Sequence, residues 1–145
     1  EIMPEVIYTC CDLKRKVVEK DEKDTGERML LNFGHTFGHA IEKLGNYTKY
    51  THGEGVAIGM CLAAKYGEGM GITPNGTADK IVDICKAYAL PTDDGVDVSQ
   101  IAELSKIDKK ANDGQVNLVL LETLGNAKCV PTAFGKFSDN LKNIF

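Results

Sequence analysis

Apolar residues recur at steps of three and four through most of this chain and switch to steps of two only once, towards its C-terminal end. Ile2, Val6, Ile7, Cys10, Leu13, Val17 and Val18 fall at helical spacing and predict a helix over residues 2–20. Asp21 to Glu27 is polar, contains Gly26, and reads as a turn. A second, strongly patterned helix is expected from Arg28 to Leu44, stopped by Gly45-Asn46. A loop over 45–52 leads to a third helix, opened by His52-Gly53-Glu54-Gly55 and reaching Met70. Its centre, Val56 to Ala64, is apolar all round, the mark of a helix buried on every side. Gly71 and Pro74 close it.

A fourth helix is expected over 76–89 and ends before Pro91, because the residue ahead of a proline is pushed out of helical conformation. A fifth, near 98–106, has Asp97 and Ser99 as N-cap candidates. Then the period changes. Val116, Leu118 and Leu120 alternate with Asn117, Val119 and Leu121, and Gly125-Asn126 marks a turn before Ala127 to Val130, which together predict a β-hairpin. Ser138 is the expected cap of a last helix to Phe145. The fold class that follows is mainly α, a single domain over 1–145 with a small hairpin near 115–131.

Composition narrows the functional classes. The hydrophobic share of 43% in 145 residues suffices for one packed core. Seventeen Lys and Arg against 21 Asp and Glu give a formal charge of −4, which argues against a nucleic-acid partner yet permits a local pocket of cations. The longest apolar run, Val56 to Ala64, is about half of a membrane span, and no secretory signal pattern opens the chain, so no membrane partner is expected. Five cysteines without a CxxC pair read as reduced thiols of a cytoplasmic protein. The first Met stands at position 3, which suggests a piece of a longer protein.

Chemistry concentrates on the second expected helix. At about 100° per residue, Arg28, Asn32, His35, His39 and Glu42 share one narrow stripe, opposite Met29, Phe33, Phe37, Ala40, Ile41 and Leu44. A solvated helix face is usually Lys and Glu; this one carries two His, an Asn and an Arg. Gly34 and Gly38 sit one turn apart, where Ala would favour a helix by roughly 1 kcal/mol each. Something must therefore approach that backbone closely, either another helix or a ligand. All three histidines of the chain, His35, His39 and His52, lie within 18 residues of one another. Two His at i, i+4 can reach one metal ion, but Thr36 stands where a metalloprotease helix has its basic Glu, so a zinc hydrolase is disfavoured. Three imidazoles plus carboxylates suffice for a catalytic metal site with an open position. Spacing alone does not say which of the three bind.

Longer runs carry a resemblance. Cys11-Asp-Leu-Lys14-Arg-Lys-Val-Val18, Asp21-Glu22, Gly26-Glu-Arg28, Leu31-Asn-Phe-Gly-His-Thr-Phe-Gly-His-Ala-Ile-Glu42 and His52-Gly-Glu, followed by Val56-Ala-Ile-Gly-Met60, are similar to the C-terminal, mainly helical domain of the 3-dehydroquinate synthase family. Asp108-Lys109-Lys110 and Gly114-Gln115-Val116 continue the likeness. The resemblance implies a shikimate-pathway reaction that cyclises 3-deoxy-D-arabino-heptulosonate 7-phosphate to 3-dehydroquinate and releases phosphate. NAD acts as a transient oxidant, and a divalent metal, zinc or cobalt, polarises a substrate hydroxyl. It implies His35 and His52 as metal ligands and His39 as an acid/base or hydrogen-bond donor near the phosphate. It implies Lys14, Arg28 and Asn32 as substrate-binding residues, with a further anion contact from Lys109 or Lys110. As partners it implies a sugar phosphate, an N-terminal NAD-binding domain that this chain lacks, and further copies in a homo-oligomer.

This chain departs from the family pattern twice. Gly55 stands where the family usually has Ala after His-Gly-Glu, and the family's third metal ligand is a Glu upstream of the segment present here. The isolated 145 residues are therefore expected to be inactive, and metal to bind weakly or to recruit Glu42, Glu54 or water. The competing readings are another sugar phosphate cyclase of the 2-deoxy-scyllo-inosose synthase type and a non-catalytic metal-binding helical module.

Overall fold

The helical periodicities become six α-helices and one 3-10 helix in the computed structural model, which describes residues 2–23, 26–93, 95–108 and 114–145. The chain divides into two compact units, Glu1–Asn32 and Phe33–Phe145.

The first unit holds α1 (Met3–Lys20), with Pro4 in its first turn, where a missing N–H costs nothing, followed by a 3-10 helix over Glu27–Asn32. No residue of α1 is buried, and Ile2, Ile7, Tyr8 and Leu13 are exposed. Its polar side is laced by Arg15, which bonds Asp12 at 2.8 Å and Glu19 at 2.7 Å, and by Lys16 on Asp12. The Asp21 carboxylate accepts from the backbone N–H groups of Gly26 and Arg28 and ties the turn into the 3-10 helix.

The second unit is built around α3 (His52–Gly69). Around it stand α2 (His35–Leu44), α4 (Thr77–Ala87), α6 (Phe134–Ile144) and the hairpin β1 (Gln115–Thr123) and β2 (Asn126–Ala133), with α5 (Val98–Asp108) against α2 and α6. Nine residues of α3, among them Ala57, Ile58, Cys61, Ala64 and Tyr66, are buried, as its all-round apolar pattern requires. Phe37, Tyr66 and Phe137 pack with ring centroids 5.7–6.0 Å apart at the centre of the core. Such tilted aromatic contacts add about 1 kcal/mol beyond the area they bury.

Polar clips fix the layers. The buried Thr73 hydroxyl donates to the Leu121 carbonyl at 2.7 Å, and the Asn140 amide donates to the Tyr66 hydroxyl at 3.0 Å. Thr36 on α2 donates to the Asn117 carbonyl on β1 at 3.1 Å. The strands pair antiparallel, Leu118 opposite Val130, around a turn where Gly125 takes φ +87°. Leu118 to Leu121 are all buried, so β1 is covered on both faces rather than half-exposed.

Three expectations are corrected. The continuous helix over 28–44 does not form. A 3-10 helix ends at Asn32, Gly34 adopts the left-handed conformation (φ +82°), and α2 starts at His35. Gly34 is therefore a left-handed position that L-residues resist, not a weak helix position. The single stripe does not run across it; Arg28 and Asn32 belong to the 3-10 helix, and only His35, His39 and Glu42 share a face of α2. The last helix begins at Phe134, four residues before Ser138, because β2 runs directly into it. Of the two cap candidates for α5, Asp97 provides the cap, its carboxylate accepting from Ser99 N–H at 2.9 Å. Lys109 and Lys110 lie outside the described residues.

Candidate metal centre

The side-by-side packing of α2 and α3 places the histidines. It is a backbone contact made through glycines. A Cβ on Gly59 would overlap the carbonyl oxygen of Gly34, and one on Gly38 would come within 3.0 Å of the Gly55 carbonyl oxygen. The close approach expected at Gly34 and Gly38 is thus made by another helix. Each of the two outer histidines is the first residue of one of these helices. His35 follows the left-handed Gly34. His52 follows Thr51, whose hydroxyl accepts from Glu54 N–H while the Glu54 carboxylate accepts from Thr51 N–H at 2.8 Å, a reciprocal capping box. Those bonds from Thr51 hold the Glu54 carboxyl below its usual range.

The three imidazoles converge. Ring centroids of His35 and His52 are 5.3 Å apart, of His35 and His39 5.6 Å, and of His39 and His52 6.0 Å. Glu42, one turn beyond His39 on α2, puts its carboxylate 3.2 Å from His52 Nδ1. His39, Glu42 and His52 each offer one donor atom within 4.8 Å of the others, close enough for a shared cation. His35 Nδ1 faces the Phe33 carbonyl oxygen at 3.4 Å, and burial pushes its pKa below the ordinary value. The Phe33 carbonyl opposes that shift, and the neighbouring His39 and His52 reinforce it. A neutral imidazole is the form that ligates a metal.

A cleft of about 580 Å³ opens beside this cluster. His39, Glu42 and His52 line one side, with Thr36, Lys43 and Tyr47; Gln115 and Asn117 of β1 line the other. Gln115 and Asn117 were legible as part of a strand but not as site residues, because the pairing of α2 with β1 joins positions 81 apart. Tyr47 enters through two successive left-handed residues, Asn46 (φ 51°) and Tyr47 (φ 56°), of which the Gly45-Asn46 turn gave a partial hint.

The other expected substrate residues belong to the first unit. Lys14 is exposed on α1 and Asn32 exposed at the end of the 3-10 helix. Arg28 is half-buried and donates to the Glu22 carbonyl at 2.8 Å.

Comparison with known proteins places the chain in a family. A family model described as 3-dehydroquinate synthase C-terminal matches residues 1–111. The chain belongs to that family. It is 54% identical over 124 residues to a 3-dehydroquinate synthase of Clostridium botulinum, a match that covers 85% of this chain and 35% of the relative. To one of Clostridium perfringens strain 13 it is 51% identical over 126 residues, covering 86% and 36%. A 3-dehydroquinate synthase of Enterococcus faecalis shares 42% over 127 residues, covering 87% and 36%. The chain thus spans about a third of the length of these relatives. The same fold occurs in a 2-deoxy-scyllo-inosose synthase solved with carbaglucose-6-phosphate, NAD+ and Co2+ (TM-score 0.75, 22% identity, 94% of this chain and 41% of that one). It recurs in a 2-epi-5-epi-valiolone synthase of Streptomyces hygroscopicus with NAD+ and Zn2+ bound (TM-score 0.70, 21% identity, 89% of this chain and 36% of that one). The mainly helical dehydroquinate synthase-like fold with one hairpin, expected from the sequence, is the fold observed.

Proposed function

We propose that this chain supplies the metal- and substrate-binding part of a 3-dehydroquinate synthase, the enzyme that converts 3-deoxy-D-arabino-heptulosonate 7-phosphate to 3-dehydroquinate and phosphate in aromatic amino acid biosynthesis. The observation that carries this reading is the meeting of three imidazoles and a carboxylate, of which His39, His52 and Glu42 line one cleft. Identity of up to 54% with enzymes of that name supports this substrate over that of the 2-deoxy-scyllo-inosose type, whose likeness at 22% is one of fold.

His35 and His52 would hold a divalent ion, zinc or cobalt. The donor chemistry fits, since imidazole nitrogens with a nearby carboxylate suit both metals. The bound ion supplies Lewis-acid polarisation of a substrate hydroxyl. His39, exposed on the cleft wall, moves a proton at the phosphate-bearing end of the substrate. Arg28 recognises a planar anion through paired donors, Lys14 neutralises charge as a point cation, and Asn32 orients a hydroxyl. Lys109 or Lys110 adds a further anion contact.

The redox part of the reaction needs NAD. The only sheet among the described residues is an antiparallel hairpin, without the strand–turn–helix cradle of a dinucleotide site, so no step through NAD is assigned to this chain. That role goes to an N-terminal NAD-binding domain, with assembly of the whole enzyme as a cytoplasmic homo-oligomer.

The test is turnover. A polypeptide carrying this chain behind an NAD-binding domain is expected to consume the heptulosonate phosphate with NAD and a divalent metal, and to leave glucose 6-phosphate untouched. The 145 residues alone are expected to give none. Preference for glucose 6-phosphate, or steady turnover by the 145 residues alone, would overturn the assignment.

A further inference from the structure

Both imidazoles assigned to the ion have one ring nitrogen already engaged. His35 Nδ1 faces the Phe33 carbonyl oxygen, and His52 Nδ1 faces both Glu42 carboxylate oxygens, at 3.2 and 3.3 Å. A carbonyl or carboxylate oxygen accepts and does not donate, so the hydrogen of each ring belongs on Nδ1 and the lone pair on Nε2.

We propose that Glu42 is a positioning residue for His52: its carboxylate accepts from Nδ1–H, fixes the ring's tautomer and orientation, and so leaves Nε2 directed to the divalent ion. This rests on the metal reading above. Metal-binding histidines characteristically give their second nitrogen to such an acceptor.

The two partners differ in freedom. The His52 side chain is 59% exposed, whereas that of Glu42 is only 11% exposed. An exposed imidazole at the first residue of a helix has several rotamers open to it, and the nearly buried carboxylate selects one. Glu42 is in turn held by its surroundings. A Cβ at Gly55 would come within 2.9 Å of Glu42 Cγ, so the bare backbone at position 55 shapes the slot in which this side chain lies. The bond also clips α2 to the first turn of α3. The competing arrangement has Glu42 as a direct ligand beside His39 and His52, whose donor atoms lie within 4.8 Å.

The experiment uses the 145-residue chain, stripped of metal and labelled with 15N-histidine, together with Glu42→Ala and Glu42→Gln. Ring-nitrogen shifts report the tautomer without any ion present. His52 is expected as Nδ1–H in the unsubstituted chain and in Glu42→Gln, which keeps an acceptor oxygen. In Glu42→Ala it is expected to move to the Nε2–H form that free imidazole side chains favour. Calorimetric titration with Co2+ is expected to show affinity about 10- to 100-fold weaker in Glu42→Ala, with a smaller loss in Glu42→Gln. An Nε2–H ring in the unsubstituted chain, or a tautomer unmoved by Glu42→Ala, overturns the proposal. So does a Co2+ visible spectrum whose coordination changes in Glu42→Gln, since that makes Glu42 a ligand. If the unsubstituted chain takes up no Co2+ at all, the metal reading falls, while the tautomer result still decides the role of Glu42.

Discussion

Gly59 on α3 lies directly against the carbonyl oxygen of Gly34, so close that a Cβ at position 59 would overlap it and would stand 2.7 Å from Gly38 N. Both opposing atoms are backbone, so neither can swing aside. Gly59→Ala gains roughly 1 kcal/mol of helix propensity but forces α2 and α3 apart, an overpacking cost of about 3 kcal/mol. Urea denaturation is expected to show a net loss of about 2 kcal/mol. Gly53→Ala, whose Cβ would meet nothing within 4 Å, is expected to leave stability intact or raise it.

Thr51→Ala removes the hydroxyl that caps α3 and breaks half of the reciprocal pair with Glu54. A loss of about 1 kcal/mol is expected on chemical denaturation. His52 begins the helix at this cap, so its ring resonances should broaden or shift in the same variant, whereas those of His35 should change less.

The His35 imidazole, pushed below its ordinary pKa chiefly by burial, should titrate in the metal-free chain with a midpoint under 6.5 when followed by NMR. The unfolded chain then binds this proton more readily than the folded one. Its contribution to stability is therefore complete above the unfolded value and is lost as pH falls below 6.5 towards the folded value. His35→Asn is expected to flatten that part of the stability–pH curve; a curve of unchanged slope would count against the assignment.

Cys61 is buried on α3, and desolvation, reinforced by the adjacent Cys85, pushes its thiol up to about 12. The thiolate is the reactive form, so iodoacetamide at neutral pH should label the exposed Cys10 and Cys11 and leave Cys61 and Cys85 unmodified until the chain unfolds. Mass spectrometry of peptides at increasing urea concentration checks this.

Much of the helical fold was legible in local pattern. The all-round apolar centre of α3 announced its burial, and the alternation from Val116 announced the hairpin. The break at Gly34 was not legible, because its cause is tertiary: the left-handed turn exists to bring the Gly34 backbone against Gly59 of another helix. Helical periodicity continues across it, since Phe33 and Phe37 both face the core cluster. The start of α6 at Phe134 was missed for a similar reason, as the strand pairing of Thr132 and Ala133 delivers the chain directly into the helix. In the candidate site, clustering of all histidines within one segment foretold their meeting. The bond from His52 to Glu42 depends on the α2–α3 contact, and the β1 wall of the cleft on the pairing across 81 positions.

His35 and His52 open two helices that interlock through bare main chain, so the backbone frame fixes the separation of their anchor points and leaves only side-chain torsions to set where the rings point. If the two rings hold an ion as proposed, ions of different radius would be accommodated by turning the rings and not by moving the helices. Nor can those anchor points part without prying open the middle of the molecule, so loss of this corner's frame should coincide with global melting instead of preceding it.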